Sequence, residues 1–212
     1  MNSQFKIENQ LTTIQRKIGV TGGIGTGKTT VSNYLASTYH LPILDADIYA
    51  REAVKPGSEI LNLIAEHFGM NILLPDKTLD RRRLGEIVFN NFNERQWLEA
   101  QIHPYVHQCL LVELQALDVK KYPTVVLTIP LLFEANMTDL VTEIWVVNCS
   151  ETEQIKRLME RDRLTFAQAQ ARMNSQMPLA EKIAHADVVL DNSSTLEALL
   201  KQVDSAYRGG DG

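Results

Sequence analysis

Gly22-Gly23-Ile24-Gly25-Thr26-Gly27-Lys28-Thr29 decides how this chain is read. Ahead of it runs the apolar stretch Lys17-Ile18-Gly19-Val20-Thr21, and behind it Lys28 to Ser37 spaces Val31 and Leu35 as one helix face. The order is strand, glycine-rich loop, helix. Gly22, Gly27, Lys28 and Thr29 satisfy the spacing GxxxxGK[ST] of a phosphate-binding loop, in the context that loop requires. Glycines admit backbone conformations that turn successive N–H groups inward, and the helix N-terminus adds partial positive charge, so phosphate oxygens are cradled there. Lys28 is expected at the β- and γ-phosphates of ATP, with the Thr29 hydroxyl on Mg²⁺.

Outward from the loop, Leu41-Pro42-Ile43-Leu44 reads as a second strand with Pro42 at its start, running into Asp45-Ala46-Asp47. Thr124 to Ile129, Ile144 to Cys149 and Val188-Val189-Leu190 are β-branched runs of the kind buried in parallel sheets. Their alternation with helical patterns predicts an α/β fold, a parallel sheet covered on both faces. The interval 48–122 is too long for a simple crossover and is helical throughout, which predicts an inserted helical subdomain. Within it Ile60, Leu61, Ile64 and Phe68 form one face closed by Gly69. Asn93 with Gln96 reads as a capping box, and Pro104 is expected to kink or restart the helix it opens.

With 212 residues, 44% of them hydrophobic, the chain is long enough for one core with a subdomain inserted into it. Its apolar runs fall short of the roughly 18 residues of a membrane span. Residues 1–16 lack the apolar core of a signal peptide and are expected to be a mobile or loosely docked extension. Two cysteines, Cys109 and Cys149, form no CxxC pair, which excludes a disulfide framework and fits a reducing cytoplasm. A net charge of -5 excludes a protein that wraps nucleic acid while leaving room for a local basic pocket.

Asp45 and Asp47 fall at the carboxyl end of the second strand, the edge of an open parallel sheet where ligands gather. If the segment stays extended, positions i and i+2 point the same way and both carboxylates face the phosphate cleft. One would take the proton of an attacking hydroxyl and the other hold Mg²⁺ through water; the competing reading is that one caps a helix from Ile48 to Val54. Further on, Arg157 and Arg161 are four apart and share a helix face, which reads either as a solvated face or, with a phosphate loop in the same chain, as an arginine-bearing lid over 152–182 that closes on ATP.

Taken together these residues resemble the dephospho-coenzyme A kinase family. The likeness runs from Ile18 to about Val203 through the phosphate loop, Asp45-Ala46-Asp47 with Arg51, Pro56-Gly57, Leu79-Asp80-Arg81, His103-Pro104, Pro130-Leu131-Leu132-Phe133-Glu134, Arg157 with Arg161-Asp162, Gln176, Ala186-Asp187 and Asn192. It implies a P-loop nucleotide-kinase-like three-layer sandwich with a five-stranded parallel sheet, in which 17–212 is one kinase domain and 48–122 binds the acceptor. The implied reaction is transfer of the ATP γ-phosphate to the ribose 3′-hydroxyl of dephospho-coenzyme A, the last step of coenzyme A biosynthesis.

By the same resemblance Asp47 is the general base, and Lys28 and Arg161 stabilise phosphoryl charge. Gly23 through Thr30 hold ATP, with Asn192 on the nucleotide side, while Thr29 and Asp45, the latter through water, hold Mg²⁺. Arg51, Arg81, His103 and Glu134 are the expected acceptor contacts, Glu134 having a helix cap as its alternative and His103 a purely structural, helix-breaking role. The partner is this small molecule, with neither nucleic acid nor membrane, and the protein is expected to be a monomer or weak homo-oligomer. Three departures stand out: the extension from Met1 to Gln15, Ser193-Ser194 where the family often has glycine, and Thr26 and Thr29 in place of serines. The rival readings are another small-molecule kinase of nucleotide or shikimate type, and a P-loop switch, for which no [NT]KxD guanine motif is present.

Overall fold

The computed structural model describes residues 14–209. At its centre β1 (Arg16–Gly22) is paired on one side with β3 (Thr124–Thr128) and on the other with β4 (Glu143–Asn148). β2 (Ile43–Asp45) completes one edge and β5 (Val188–Asp191) the other, giving the all-parallel order β2-β3-β1-β4-β5. Ile18 is level with Val126, Val20 with Trp145, and Trp145 with Val188. β-Branched and aromatic residues hold these strands because both faces of the sheet are covered and no polar side is needed. β3 is buried along its whole length: Val125 and Leu127 point into one core while Val126 points into the other.

α1 (Lys28–Tyr39) and α9 (Leu196–Gly209) cover the second of these faces through Val31, Leu35, Leu199 and Val203. On the opposite face lie α2 (Ala46–Glu52) and α5 (Phe92–Ala116), the latter through Val106, Leu110 and Leu114. α3 (Glu59–Phe68) and α4 (Arg81–Val88) form a third core with the start of α5, around Leu61, Ile64, Ile72 and Leu84. α6 (Glu151–Asp162), α7 (Phe166–Asn174) and α8 (Leu179–Ala184) follow β4. Among the described residues, no helix is long and apolar enough to cross a membrane.

α5 departs from expectation twice. Its cap is Asn91, whose side chain accepts from the N–H groups of Asn93 and Glu94, so the helix opens two residues before the Asn93/Gln96 pair read as a capping box. Nor does Pro104 restart it; the helix is continuous for 25 residues, about 37 Å at 1.5 Å per residue. The apolar stripe Leu98, Ile102, Val106, Leu110, Leu114 explains this. A four-residue repeat drifts about 40° per step around a helix of 3.6 residues per turn, so the stripe passes from the third core to the sheet core. Packing at both ends holds the axis through the hydrogen bond that Pro104 cannot donate.

The N-terminal extension lies outside the described residues except at its end. There Gln15 is buried, with its amide donating to the Tyr122 carbonyl at 3.0 Å, and Arg16 already belongs to β1. The boundary drawn after residue 16 therefore cuts into the domain, because Gln15 is packed against it and Arg16 is the first residue of β1.

Candidate active site

The phosphate loop leaves β1 at Gly22, where φ is +142° and a Cβ would stand 2.3 Å from the Val147 carbonyl oxygen of the neighbouring strand. At its far end Gly27 caps α1 in the left-handed region, with φ +104°, and a side chain there would meet the Asn192 amide at 2.3 Å. Both glycines are thus required by geometry as well as by the motif. Between them the Thr26 hydroxyl, fully buried, donates to Gly23 O at 2.9 Å and closes the loop. Asn192 donates to Thr26 O at 2.8 Å, so it braces the loop from behind.

Lys28 folds back over this turn, its ammonium donating to Gly22 O at 3.1 Å and Gly23 O at 2.8 Å. The side chain lines the cleft, yet the ammonium is enclosed enough that burial lowers its pKa to about 8. The charges of Lys182 and Arg161 push it the same way, against the opposing charges of Asp47 and Glu134. A cation crowded by cations is an anion-binding arrangement. Thr29 and Thr30 are exposed at the first turn of α1, Thr29 on the cleft wall.

The two aspartates do not lie side by side on an extended segment. β2 ends at Asp45, and α2 begins at once, at Ala46 rather than at Ile48. Asp45 is the cap, its carboxylate accepting the Asp47 N–H at 2.9 Å, which leaves Asp47 in the first helical turn, exposed on the cleft wall. The alternation argument fails because the chain turns helical between the two positions. Burial raises the pKa of Asp45 and the nearby Asp47 charge adds to this, while the Asp47 N–H, Arg51 and Lys28 oppose it.

On the far side, α6 brings two arginines with different tasks. Arg157 donates to Gly25 O at 3.2 Å and to Asn192 O at 3.3 Å while pairing with Glu153 at 2.9 Å. It grips the backbone of the phosphate loop. Arg161 is exposed and bidentate on Asp162, at 2.8 and 2.9 Å, a pairing that raises its pKa. Asp162 also accepts from Arg172 on α7 at 2.8 Å, and the Arg172 guanidinium lies 5.1 Å from the Phe89 ring centre, just past α4. Gln176 accepts the Ile24 N–H at 2.9 Å.

These surfaces enclose a cleft of about 1000 Å³ that takes in Lys28, Thr29, Asp47, Arg161 and His103. His103 comes from α5, and burial lowers its pKa against the opposing charge of Glu134. Glu134 stands behind the wall formed by Pro130, Leu131 and Ala135; it caps no helix, and instead accepts the Met177 N–H at 2.9 Å and pairs with Lys182 at 2.8 Å. Arg51 and Arg81 lie near each other but outside this wall, and Arg81 has its pKa lowered by desolvation and then by the Arg51 charge. Sequence reasoning missed Lys182, fully buried, and Glu99, a cleft residue whose carboxyl burial pushes up. Neither carries a local signal, since a lysine in the six-residue α8, or a glutamate among the polar residues of α5, reads as a solvated one.

Comparison with known proteins settles the family. A sequence family described as dephospho-CoA kinase matches residues 16–198. The chain belongs to the dephospho-CoA kinase family. Dephospho-CoA kinase of Trichormus variabilis is 64% identical over 192 residues, covering 91% of this chain and 96% of that one. Among solved structures, the Thermus thermophilus protein TT1252 superimposes with a TM-score of 0.75 at 33% identity, over 92% of this chain and 98% of its own. Dephospho-CoA kinase from Campylobacter jejuni does so with 0.63 at 27% identity, over 93% and 100%. Dephospho-CoA kinase family membership makes the chain an ATP-dependent kinase, and the five-stranded parallel sheet is the one that family implies.

Proposed function

We infer that the chain transfers the γ-phosphoryl group of ATP to the ribose 3′-hydroxyl of dephospho-CoA, giving CoA and ADP. The observation that carries this reading is one cleft in which the P-loop Lys28, the helix-borne Asp47 and the insert-borne His103 meet. Asp47 accepts the hydroxyl proton as the 3′-oxygen bonds to phosphorus and the bond to the ADP oxygen breaks. Lys28 neutralises charge on the β- and γ-oxygens, and the loop from Gly23 to Thr30 positions them. Arg161 joins by exchanging the Asp162 carboxylate for phosphoryl oxygens, with α6 and α7 acting as the lid. Asn192 acts indirectly, through Thr26.

The donor set fits Mg²⁺, which keeps several waters and needs only one or two protein oxygens besides phosphate. Thr29 would hold it directly and Asp45 through water, and when bound it would neutralise charge on the phosphate oxygens. The helices of 48–122 form the acceptor subdomain, with His103 on the cleft wall and Arg51, Arg81 and Glu134 nearby. Cys109 and Cys149 are both free, which suits the cytoplasm, and we place the protein there as a monomer or weak homo-oligomer. ADP release measured with and without dephospho-CoA, and with and without Mg²⁺, tests the reading: turnover should require both, and equal release without the acceptor would overturn it.

A further inference from the structure

Lys182 belongs to none of the roles above, yet among the described residues it is the charged side chain shut completely away from solvent. It stands on α8, and its ammonium donates to the Pro130 carbonyl at 3.0 Å while pairing with Glu134 at 2.8 Å. Both partners lie in the segment that follows β3 and forms a wall of the cleft at Pro130, Leu131 and Ala135. Pro130 O also accepts from the Thr21 hydroxyl at 3.3 Å, which ties the same segment to the start of the phosphate loop. The chain just before α8 adds two further ties: Gln176 to the Ile24 N–H, and the Met177 N–H to Glu134. Phosphate loop, cleft wall and the end of the lid therefore converge on one ion pair, its lysine fully buried and its glutamate nearly so.

Energetics argue that stability is not the reason for this pair. Removing two charges from water is expensive, and an apolar pair of similar volume is often as stable or more so. A buried ammonium does something an apolar residue cannot: its direction is fixed by the oxygens it must satisfy. Its charge is also felt at Lys28, where it opposes a second ammonium. An anion in the cleft relieves that opposition.

We propose that Lys182 is a positioning residue of the phosphoryl-transfer site, holding the 130–135 wall and the lid's return in register with the phosphate loop through Glu134 and Pro130. The proposal rests on the kinase reading above and deepens it. The test compares the parent, Lys182→Met, which keeps the volume and removes the charge, and Lys182→Met combined with Glu134→Gln, which neutralises both partners.

Misplacement of the wall should lower kcat/KM for dephospho-CoA about tenfold or more in Lys182→Met, with the KM for ATP within about twofold of the parent. In the double variant the melting temperature should return towards the parent's while kcat/KM stays low. A purely structural pair would give the opposite: rate and melting temperature recover together in the double variant, or Lys182→Met keeps kcat/KM within about twofold, the scale of an uncoupled site. If Lys182→Met fails to fold, the double variant is compared with Glu134→Gln alone: a double variant at least about tenfold lower in kcat/KM than Glu134→Gln supports the proposal, and one within about twofold of it overturns it. A parent without acceptor-dependent turnover would refute the kinase reading itself, which is a separate result.

Discussion

Asp45 and Asp47 have the same chemistry and opposite duties, because one closes a strand and the other opens a helix. Asp45 accepts a backbone N–H, a task asparagine performs nearly as well, so Asp45→Asn should leave stability almost unchanged. Asp47 makes no such bond with its side chain and faces the cleft. Asp47→Asn should keep binding of both substrates and lose about 10² to 10⁴ in kcat, the range for removal of a general base. Titration calorimetry for binding and steady-state rates for turnover check it; retention of more than about a tenth of parental kcat would remove Asp47 from that role. Lys28→Ala should cut kcat by about 10² or more without unfolding the protein, as loss of one preorganised charge-stabilising donor does. Near-parental turnover at an unchanged melting temperature would count against it.

His103 supplies a residue-scale test by pH. Burial holds its folded pKa below the ordinary 6.5, with only the Glu134 charge opposing. The unfolded chain therefore binds the proton more readily, and His103 contributes stability that is present above 6.5 and lost as pH falls from there through the lower folded value. His103→Gln, which cannot titrate, should flatten the fall of the melting temperature over that window; an unchanged slope would show that the loss arises elsewhere. Much of this site was legible in the chain. The lysine, the threonines and Asp47 follow from a motif and a strand end. Lys182 and the grip of Arg157 on the loop were not, since each depends on a partner far away in sequence, nor was Glu99, whose burial comes from elements packed around it; nothing local marks a lysine on α8 as buried.

Among the elements, α5 departs furthest from its sequence signals. Proline inside a helix normally ends it, yet the stripe from Leu98 to Leu114 keeps the axis going by packing on two cores in succession. Strand positions were readable to within a residue or two because buried parallel strands require continuous β-branched runs. Helix starts were less so, because caps at Asn91 and Asp45 compete with equally suitable polar residues nearby. If packing alone carries α5 through Pro104, then Pro104→Ala returns a donor and a better helix former at an exposed site. Stability should rise by about 1–3 kcal/mol, the upper figure being the full interior penalty of proline. Chemical denaturation of the two forms measures this, and an equal or lower stability would mean that the helix depends on the proline ring.

At the scale of the whole molecule, the three cores are not separable. β3 divides its side chains between the two faces of the sheet, and Ile102 of α5 packs against both the sheet core and the core of the helical insert. No boundary can be drawn around α3 and α4 without cutting through α5, so the insert is expected to unfold with the sheet rather than before it. Ile64 is fully buried in the insert's core and Leu110 fully buried in the sheet core. Truncating either to alanine should cost about 2–5 kcal/mol, since each leaves a cavity that close packing cannot refill. For a chain of this size each kcal/mol lowers the melting temperature by about 2–4 °C. Calorimetry should accordingly record a single transition for the parent, for Ile64→Ala and for Leu110→Ala, displaced downward in both variants. ATP at about a hundred times its Kd should stabilise that transition by about 2.7 kcal/mol in all three, because the phosphate loop is built on the sheet to which α5 joins the insert's core. A separate low-temperature transition in Ile64→Ala, with the main one unmoved and still raised by ATP, would make the insert an autonomous unit and α5 a tether instead of a shared beam.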